Sequence, residues 1–380
     1  MIKLIILYVI KFILSFFKLF PLKKNQCFFM SYNGTQYSCN PRAIYEYLNN
    51  IKENMIFVWA TVGGLNIPSY DSKNKLVIVK SNTIKYYFYL ITSKYVFVNI
   101  ELQTYLPKKK KSIWINTWHG GGAFKRVEYP AINLYAKVTK RIQCKHTDYY
   151  ISSSEIFTKV MASSTGFPKK KFWEIGMPRN DIFFENERVK YGIKKRVFSA
   201  LNIPNDYFVV LYAPTYRGIA KDGEFEMTLD IESVKKAFER RFSKKIAFLI
   251  RSHHAVKHNA RISEQFIDAS VYPDMQDLLI VADSLITDYS SCIFDFALTK
   301  KPGFLFAPDL ENYRQNRGFY TDISEWAFAF SKNNEELCEL INTYDEPIAI
   351  KKCQKYLEDI GSFENGSSLE HIEKLVNSQL

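Results

Sequence analysis

This chain of 380 residues lacks most of the features that classify a protein quickly. Its six cysteines are scattered, with no CxxC pair and no zinc spacing. That excludes a zinc module or a dithiol redox motif and fits reduced thiols in a cytosolic protein. Cys144 and His146 are close in sequence, but two potential ligands do not make a metal site. There is no Walker loop, no acidic metal cluster, no internal repeat, no low-complexity tract and no recognisable nucleic-acid module. The most apolar stretch, residues 1–20, is broken by Lys3, Lys11 and Lys18, so it lacks the roughly 20 uninterrupted apolar residues of a spanning helix.

The composition is that of a folded protein with an acidic partner. Single cores stop growing near roughly 250–300 residues, so this length implies two domains. An apolar fraction of 47% is ample for buried sheets. Lysine and arginine outnumber aspartate and glutamate by 52 to 39, a net charge of +13. Such an excess suits nucleic acid, anionic lipid or a phosphorylated substrate.

Residues 1–20 are followed by Pro21 and Lys23-Lys24, not by a small-residue cleavage site, which argues against a secretory signal peptide. On a helical wheel Lys3, Lys11, Ser15 and Lys18 share one side, together with Leu4, Leu7 and Leu14. The first reading is an amphipathic helix on an anionic membrane surface; a tilted membrane helix and a helix buried in the protein are the alternatives. The basic run Lys108 to Lys111 is either part of that face or a solvated loop.

The remainder alternates short apolar strands with helical stretches. Strands are expected at 27–31, 57–60, 76–79, 95–99, 113–117, 149–152 and 172–175, then at 208–213, 247–251, 285–287 and 303–306. Helical patterns lie between, as at 41–50, 156–163, 231–241 and 292–298. This alternation specifies parallel sheets covered by helices. A charged helical stretch at 185–203 separates the two series. The expected fold is α/β, with two Rossmann-like domains facing a cleft. The expected divisions are a membrane-associating segment at 1–22 and domains at 23–184 and 185–380.

Ligands of open parallel sheets bind beyond the carboxyl ends of the strands, and polar clusters stand at five of these ends. Asp288-Tyr289-Ser290-Ser291 precedes an apolar helical pattern, so Ser290 or Ser291 occupies an N-cap position, where free N–H groups and the dipole favour an anion. An ordinary serine cap is the plainer reading. His119 is followed by Gly120-Gly121-Gly122-Ala123, glycines that permit close approach to a ligand. A histidine there is a candidate general base; packing under Trp118 is the alternative. Gly176-Met177-Pro178-Arg179-Asn180-Asp181 offers Arg179 for phosphate, unless Asn180 or Asp181 merely caps the next helix. Pro214-Thr215-Tyr216-Arg217 and Arg251-Ser252-His253-His254 end two further strands.

Taken in order, Trp118-His119-Gly120, residues 176–181, residues 212–217, Arg251-Ser252-His253, Thr287 to Ser291 with Asp295, and residues 317–320 resemble the CDP-glycerol glycerophosphotransferases. The resemblance covers roughly residues 25–340, and six motifs in order are far more specific than any one. It implies a glycosyltransferase-B-like fold, with an acceptor-side domain at 23–184 and a CDP-donor domain at 185–380. It implies a peripheral protein on the cytoplasmic face of the cell membrane. It also implies transfer of glycerol phosphate or ribitol phosphate from a CDP-activated donor to a lipid-linked saccharide or polyol-phosphate acceptor, in teichoic acid or capsule synthesis. His119 matches the family's base, with His253 as the second catalytic candidate. Gly120, Gly121, Gly122, Ala123, Arg179, Pro214, Thr215, Arg251, Ser252, Ser290, Ser291 and Asp295 match its substrate-binding segments. The chain departs from the family at Gly121-Gly122-Ala123, where WHGT and a proline region are usual, and at His254, where proline is usual. These departures leave glycerol and ribitol both open, and the chain's length leaves both single addition and polymerisation open.

With no Walker loop and no acidic metal cluster, no tightly bound cofactor is expected, and no site can be named for a dissociable magnesium. Phosphoryl transfer needs positioning and charge neutralisation more than covalent help, which the histidines, arginines and helix start would supply. Two rival readings stand beside it. A glycosyltransferase using a nucleotide-sugar would share the fold. A non-enzymatic binder of membranes or nucleic acid would use the charge and the 16% aromatic content, but leaves the histidines unexplained.

Overall fold

The computed structural model describes residues 2–70, 73–122, 125–127, 133–215, 228–251 and 266–378. The chain forms two compact units. The first comprises Met1–His119, Val127–Asp181 and Phe363–Leu380; the second comprises Gly120–Arg126 and Ile182–Ser362.

In the first unit, helix α1 (Ile2–Leu14) leads into strand β1 (Lys23–Met30), helix α2 (Cys39–Ile51), β2 (Ile56–Thr61), β3 (Lys75–Lys80), α3 (Ile84–Thr92), β4 (Ser93–Val98) and β5 (Ile113–Asn116). Then come α4 (Leu134–His146), β6 (Tyr149–Ser152), α5 (Glu155–Thr165) and β7 (Phe172–Glu174). Among the described residues the strands make one sheet in the order β3-β2-β1-β4-β5-β6-β7, every neighbouring pair parallel. β4 is buried along its whole length, as a parallel strand covered on both faces must be. Helix starts follow the capping chemistry of their sequences: Thr83, Asn133 and Ser154 each accept a backbone N–H of the next turn.

The second unit contains α6 (Glu187–Leu201), β8 (Phe208–Ala213), α7 (Ile231–Phe242), β9 (Ile246–Ile250), β10 (Ile267–Asp268), α8 (Met275–Val281), β11 (Ser284–Thr287), α9 (Cys292–Ala297) and β12 (Gly303–Phe306). It continues through α10 (Leu310–Asn316), β13 (Ala329–Ser331), α11 (Asn334–Asn342) and α12 (Glu346–Asp359). Its sheet is also parallel throughout, in the order β10-β9-β8-β11-β12-β13. Phe208, Val210, Phe238, Phe248, Ile286 and Phe304 fill the core between its strands and helices.

Helix α13 (Ser368–Asn377) belongs to the first unit. There Tyr47 of α2 and Lys52 just after it hydrogen-bond Glu373, and the Tyr95 hydroxyl donates to the carbonyl of Val376 at 3.1 Å.

Helix α1 is attached by the side that carries Leu7, Lys11 and Leu14. Leu7 and Leu14 are buried, and Ile10 and Phe17 pack against the core cluster that contains Leu14, Val96 and Trp114. Lys11 Nζ lies 3.4 Å from His146 Nε2, a contact in which the ammonium donates to a neutral ring. Burial first, then Lys11 and three further lysines, hold the His146 ring down at about 3. The outward face is instead apolar: Ile2, Ile5, Ile6, Val9, Phe12 and Ile13 are exposed. The basic run is partly used inside this unit, since Lys108 pairs with Asp148 and Lys109 donates to the carbonyl of Phe20. Among the described residues no helix is long and apolar enough to cross a membrane.

Candidate active site

In the first sheet the strand order reverses between β1 and β4, the place where such sheets bind ligands. Asn99, directly after β4, is fully buried there. Its Oδ1 accepts the N–H of Tyr32 at 2.8 Å, and its Nδ2 donates to Ser31 Oγ at 3.1 Å, so it ties β4 to the end of β1. Its own carbonyl lies 2.8 Å from His119 Nδ1. A carbonyl can only accept, so Nδ1 carries the proton and Nε2 is the basic nitrogen of the neutral ring. His119 is half-buried, beside Trp118 at 4.4 Å between ring centroids and Tyr32 at 5.6 Å. Packing on Trp118 and a base-competent tautomer therefore coexist. Two residues beyond Asn99, burial pushes the Glu101 carboxyl upward.

The second sheet reverses between β8 and β11, and a side chain braces that point too. Asp288, 1% exposed, accepts the Thr215 N–H at 2.9 Å and the Thr215 hydroxyl at 2.6 Å. Thr215 thus spends both donors on the loop, and Pro214 beside it is half-exposed. Arg251 directly follows β9, its Nη1 donating to the carbonyl of Tyr272 at 2.8 Å. Ser290 and Ser291 are half-exposed, and Ser291, at the cap position of α9, makes no side-chain capping bond. The plain serine cap is not what the helix uses.

The glycine loop after His119 belongs to this second unit. A Cβ on Gly121 would come 2.5 Å from Phe294 Cδ1 and 3.0 Å from Asp295 Oδ1, so only glycine permits this approach to α9. Asp295 is buried, and Gln276 Nε2 donates to its Oδ2 at 3.0 Å. Gly120 is buried and Gly122 half-buried. Beyond them Lys125 forms an antiparallel bridge with Phe319, and the Arg126 N–H donates to the Gly318 carbonyl at 3.2 Å. The segment at residues 317–320 therefore holds the far end of the glycine loop. Phe319 also stacks on Tyr313, which stacks on Tyr289 at 4.0 Å.

Residues 176–181 do structural work in the first unit. Met177 N–H and Asn180 Nδ2 donate to Glu364, and Asp181 accepts the N–H groups of Ser368 and Leu369 at the start of α13. Arg179 is 7% exposed, and its Nη1 lies 3.1 Å from Cys39 Sγ. Ala123, Ser252 and His253, with His254, Tyr216 and Arg217, lie outside the described residues. Sequence reasoning missed Asn99, Asp288 as an organising residue, and Gln276. Asp288 alone had a signal, as an acid at the end of a strand.

With the two switch points described, comparison with known proteins decides the family. The profile of the CDP-Glycerol:Poly(glycerophosphate) glycerophosphotransferases matches residues 12–378. The chain belongs to this family. It is similar to a teichoic acid poly(glycerol phosphate) polymerase of Bacillus spizizenii, at 33% identity over 90% of this chain and 86% of that protein. It is also similar to a teichoic acid poly(ribitol-phosphate) polymerase of the same species, at 31% identity over 91% of this chain and 54% of that protein. Among solved structures it resembles the wall teichoic acid polymerase TagF, with a TM-score of 0.83, 26% identity, and coverage of 99% of this chain and 95% of that one. The expected α/β architecture of two Rossmann-like parallel sheets is thus found. The protein is an enzyme of the glycerophosphotransferase type.

Proposed function

We propose that the protein transfers glycerol phosphate or ribitol phosphate from a CDP-activated donor to a hydroxyl of a lipid-linked acceptor, in the synthesis of teichoic acid or a related capsular polymer. The acceptor oxygen forms a bond to the phosphorus that carries the polyol. The bond from that phosphorus to the bridging oxygen breaks, and cytidine monophosphate leaves with the electron pair. The acceptor proton passes to Nε2 of His119. The observation that carries this reading is the anchoring of His119 Nδ1 on the Asn99 carbonyl, which fixes the tautomer a base requires. On the donor side, Arg251 and the half-exposed start of α9 at Ser290 and Ser291 supply positive charge and N–H groups for the pyrophosphate. Magnesium, where needed, would accompany the donor phosphates as a dissociable ion.

The enzyme would reach its acceptor as a peripheral protein on the cytoplasmic face of the membrane. The outward apolar face of α1, with Lys3 and Lys18 exposed beside it, suits an anionic interface. The reading is tested by incubating the protein with CDP-glycerol, CDP-ribitol or a UDP-sugar and a lipid-linked acceptor, and weighing the products by mass spectrometry. A UDP-sugar as sole donor would restore the glycosyltransferase reading.

A further inference from the structure

Trp118, immediately before His119, has φ 52°, in the left-handed region that a bulky aromatic residue rarely occupies. Such strain persists only where neighbours impose it, and it gathers at functional sites. Two asparagine side chains impose it here. Asn116 Oδ1 accepts the Trp118 N–H at 2.9 Å. From the other side, Asn40 Nδ2 donates to the carbonyls of Thr117 at 2.9 Å and Trp118 at 3.2 Å. Asn40 is fully buried and stands in the first turn of α2. Its Oδ1 is also used, accepting the Arg179 N–H at 3.1 Å. A carboxamide is the one small side chain that donates on one arm and accepts on the other, which is what these carbonyls and this N–H require.

We propose that Asn40 is a positioning residue for the reaction, holding the strained turn at Trp118 so that His119 meets the Asn99 carbonyl through Nδ1 and keeps Nε2 as its basic nitrogen. This rests on the reading of His119 as the base, but the arrangement can be tested apart from it. Asn40→Asp keeps the shape and the acceptor arm while turning an oxygen toward two carbonyls. Asn40→Ala removes both arms. Loss of alignment of this kind lowers the chemical step about 10–100-fold while leaving donor affinity nearly intact.

The experiment has two readouts. In the first, nitrogen-15 spectra of histidine-labelled protein, with His119 assigned by its absence in His119→Gln, report which ring nitrogen carries the proton. The wild type should show the Nδ1–H form, and Asn40→Asp should shift toward a mixture of the two. In the second, steady-state kinetics should show kcat reduced about 10–100-fold with the donor KM within about three-fold. A folded Asn40→Asp enzyme with wild-type kcat and unchanged His119 signals overturns the proposal. If the variants do not fold, an Nε2–H tautomer in the wild type overturns it without them. If His119→Ala stays active while the His119 signals still move in Asn40→Asp, the base assignment fails and the positioning contact stands.

Discussion

The carboxylate of Asp288 holds Thr215 by two groups at once, the backbone N–H at 2.9 Å and the hydroxyl at 2.6 Å. It thereby joins the loops after β8 and β11 at the point where the second sheet reverses. Asp288→Ala leaves these donors, and the N–H of Tyr289, without their acceptor. Each buried group left unsatisfied costs about 1–3 kcal/mol. The variant is expected to melt earlier and to bind CDP-glycerol more weakly. Calorimetry showing unchanged stability and affinity would make the Asp288 contact incidental.

Gly121 is expected to tolerate no side chain. Gly121→Ala sets a methyl group 2.5 Å from the Phe294 ring, and neither the ring nor the buried Asp295 beside it has room to yield. Overpacking of this kind costs about 1–3 kcal/mol or moves the loop. Thermal melting and transfer rate together check this. A variant with both at wild-type values would show that the loop has slack.

Asp181 gives a pH signature. Burial pushes its carboxyl up to about 6 from 3.8, against the opposing pull of hydrogen bonds from Leu369 and Ser368. A carboxyl that binds its proton more tightly when folded contributes stability below the unfolded value, and loses it as pH rises through the folded one. Asp181→Asn removes the charge but turns its amide nitrogen toward one of the two N–H groups, so its stability relative to the wild type should start lower and rise by about 3 kcal/mol between roughly pH 4 and 7. Urea titrations at both ends of that window measure it, and a pH-independent difference would contradict the assignment.

The outward face of α1 should carry membrane binding. Ile5→Asp with Phe12→Asp changes side chains that are 58% and 82% exposed, so folding should be nearly unaffected. Flotation with vesicles containing phosphatidylglycerol should lose most of the bound protein. The remainder should fall further with salt, as the lysine contribution does. Truncating residues 1–20 is a poorer test, because Leu14, Ile10 and Phe17 would leave the core. Equal flotation of wild type and double variant would remove α1 as the anchor.

Much of this architecture was written in apolar runs. The strands from β1 to β9, with β11 and β12, stood out because each carries apolar residues in a short run bounded by polar ones. β10 and β13 did not, being two and three residues long with no run to see. The return of α13 to the first unit was invisible, since helical periodicity marks a buried face but not the sheet that buries it. Which side of α1 meets the protein was not legible for a related reason: a lysine can lie against the core where a neutral histidine receives it, as Lys11 shows. At the site, His119 and its glycines were legible as residue types in a telling order. The buried asparagines were not, because their role lies in contacts with main-chain atoms far away in sequence, as Asn40 reaches Thr117.

Polyol-phosphate transfer with His119 as the base is tested by cytidine monophosphate release from CDP-glycerol and CDP-ribitol in the presence of a lipid-linked acceptor, with wild type and His119→Ala in parallel. Nucleotide release should be matched by acceptor mass rising in steps of one polyol phosphate, and it should fall about 10²–10⁴-fold in a normally melting His119→Ala. Transfer by His119→Ala at the wild-type rate, or a wild-type enzyme that leaves both CDP-polyols intact while consuming a UDP-sugar, would contradict it.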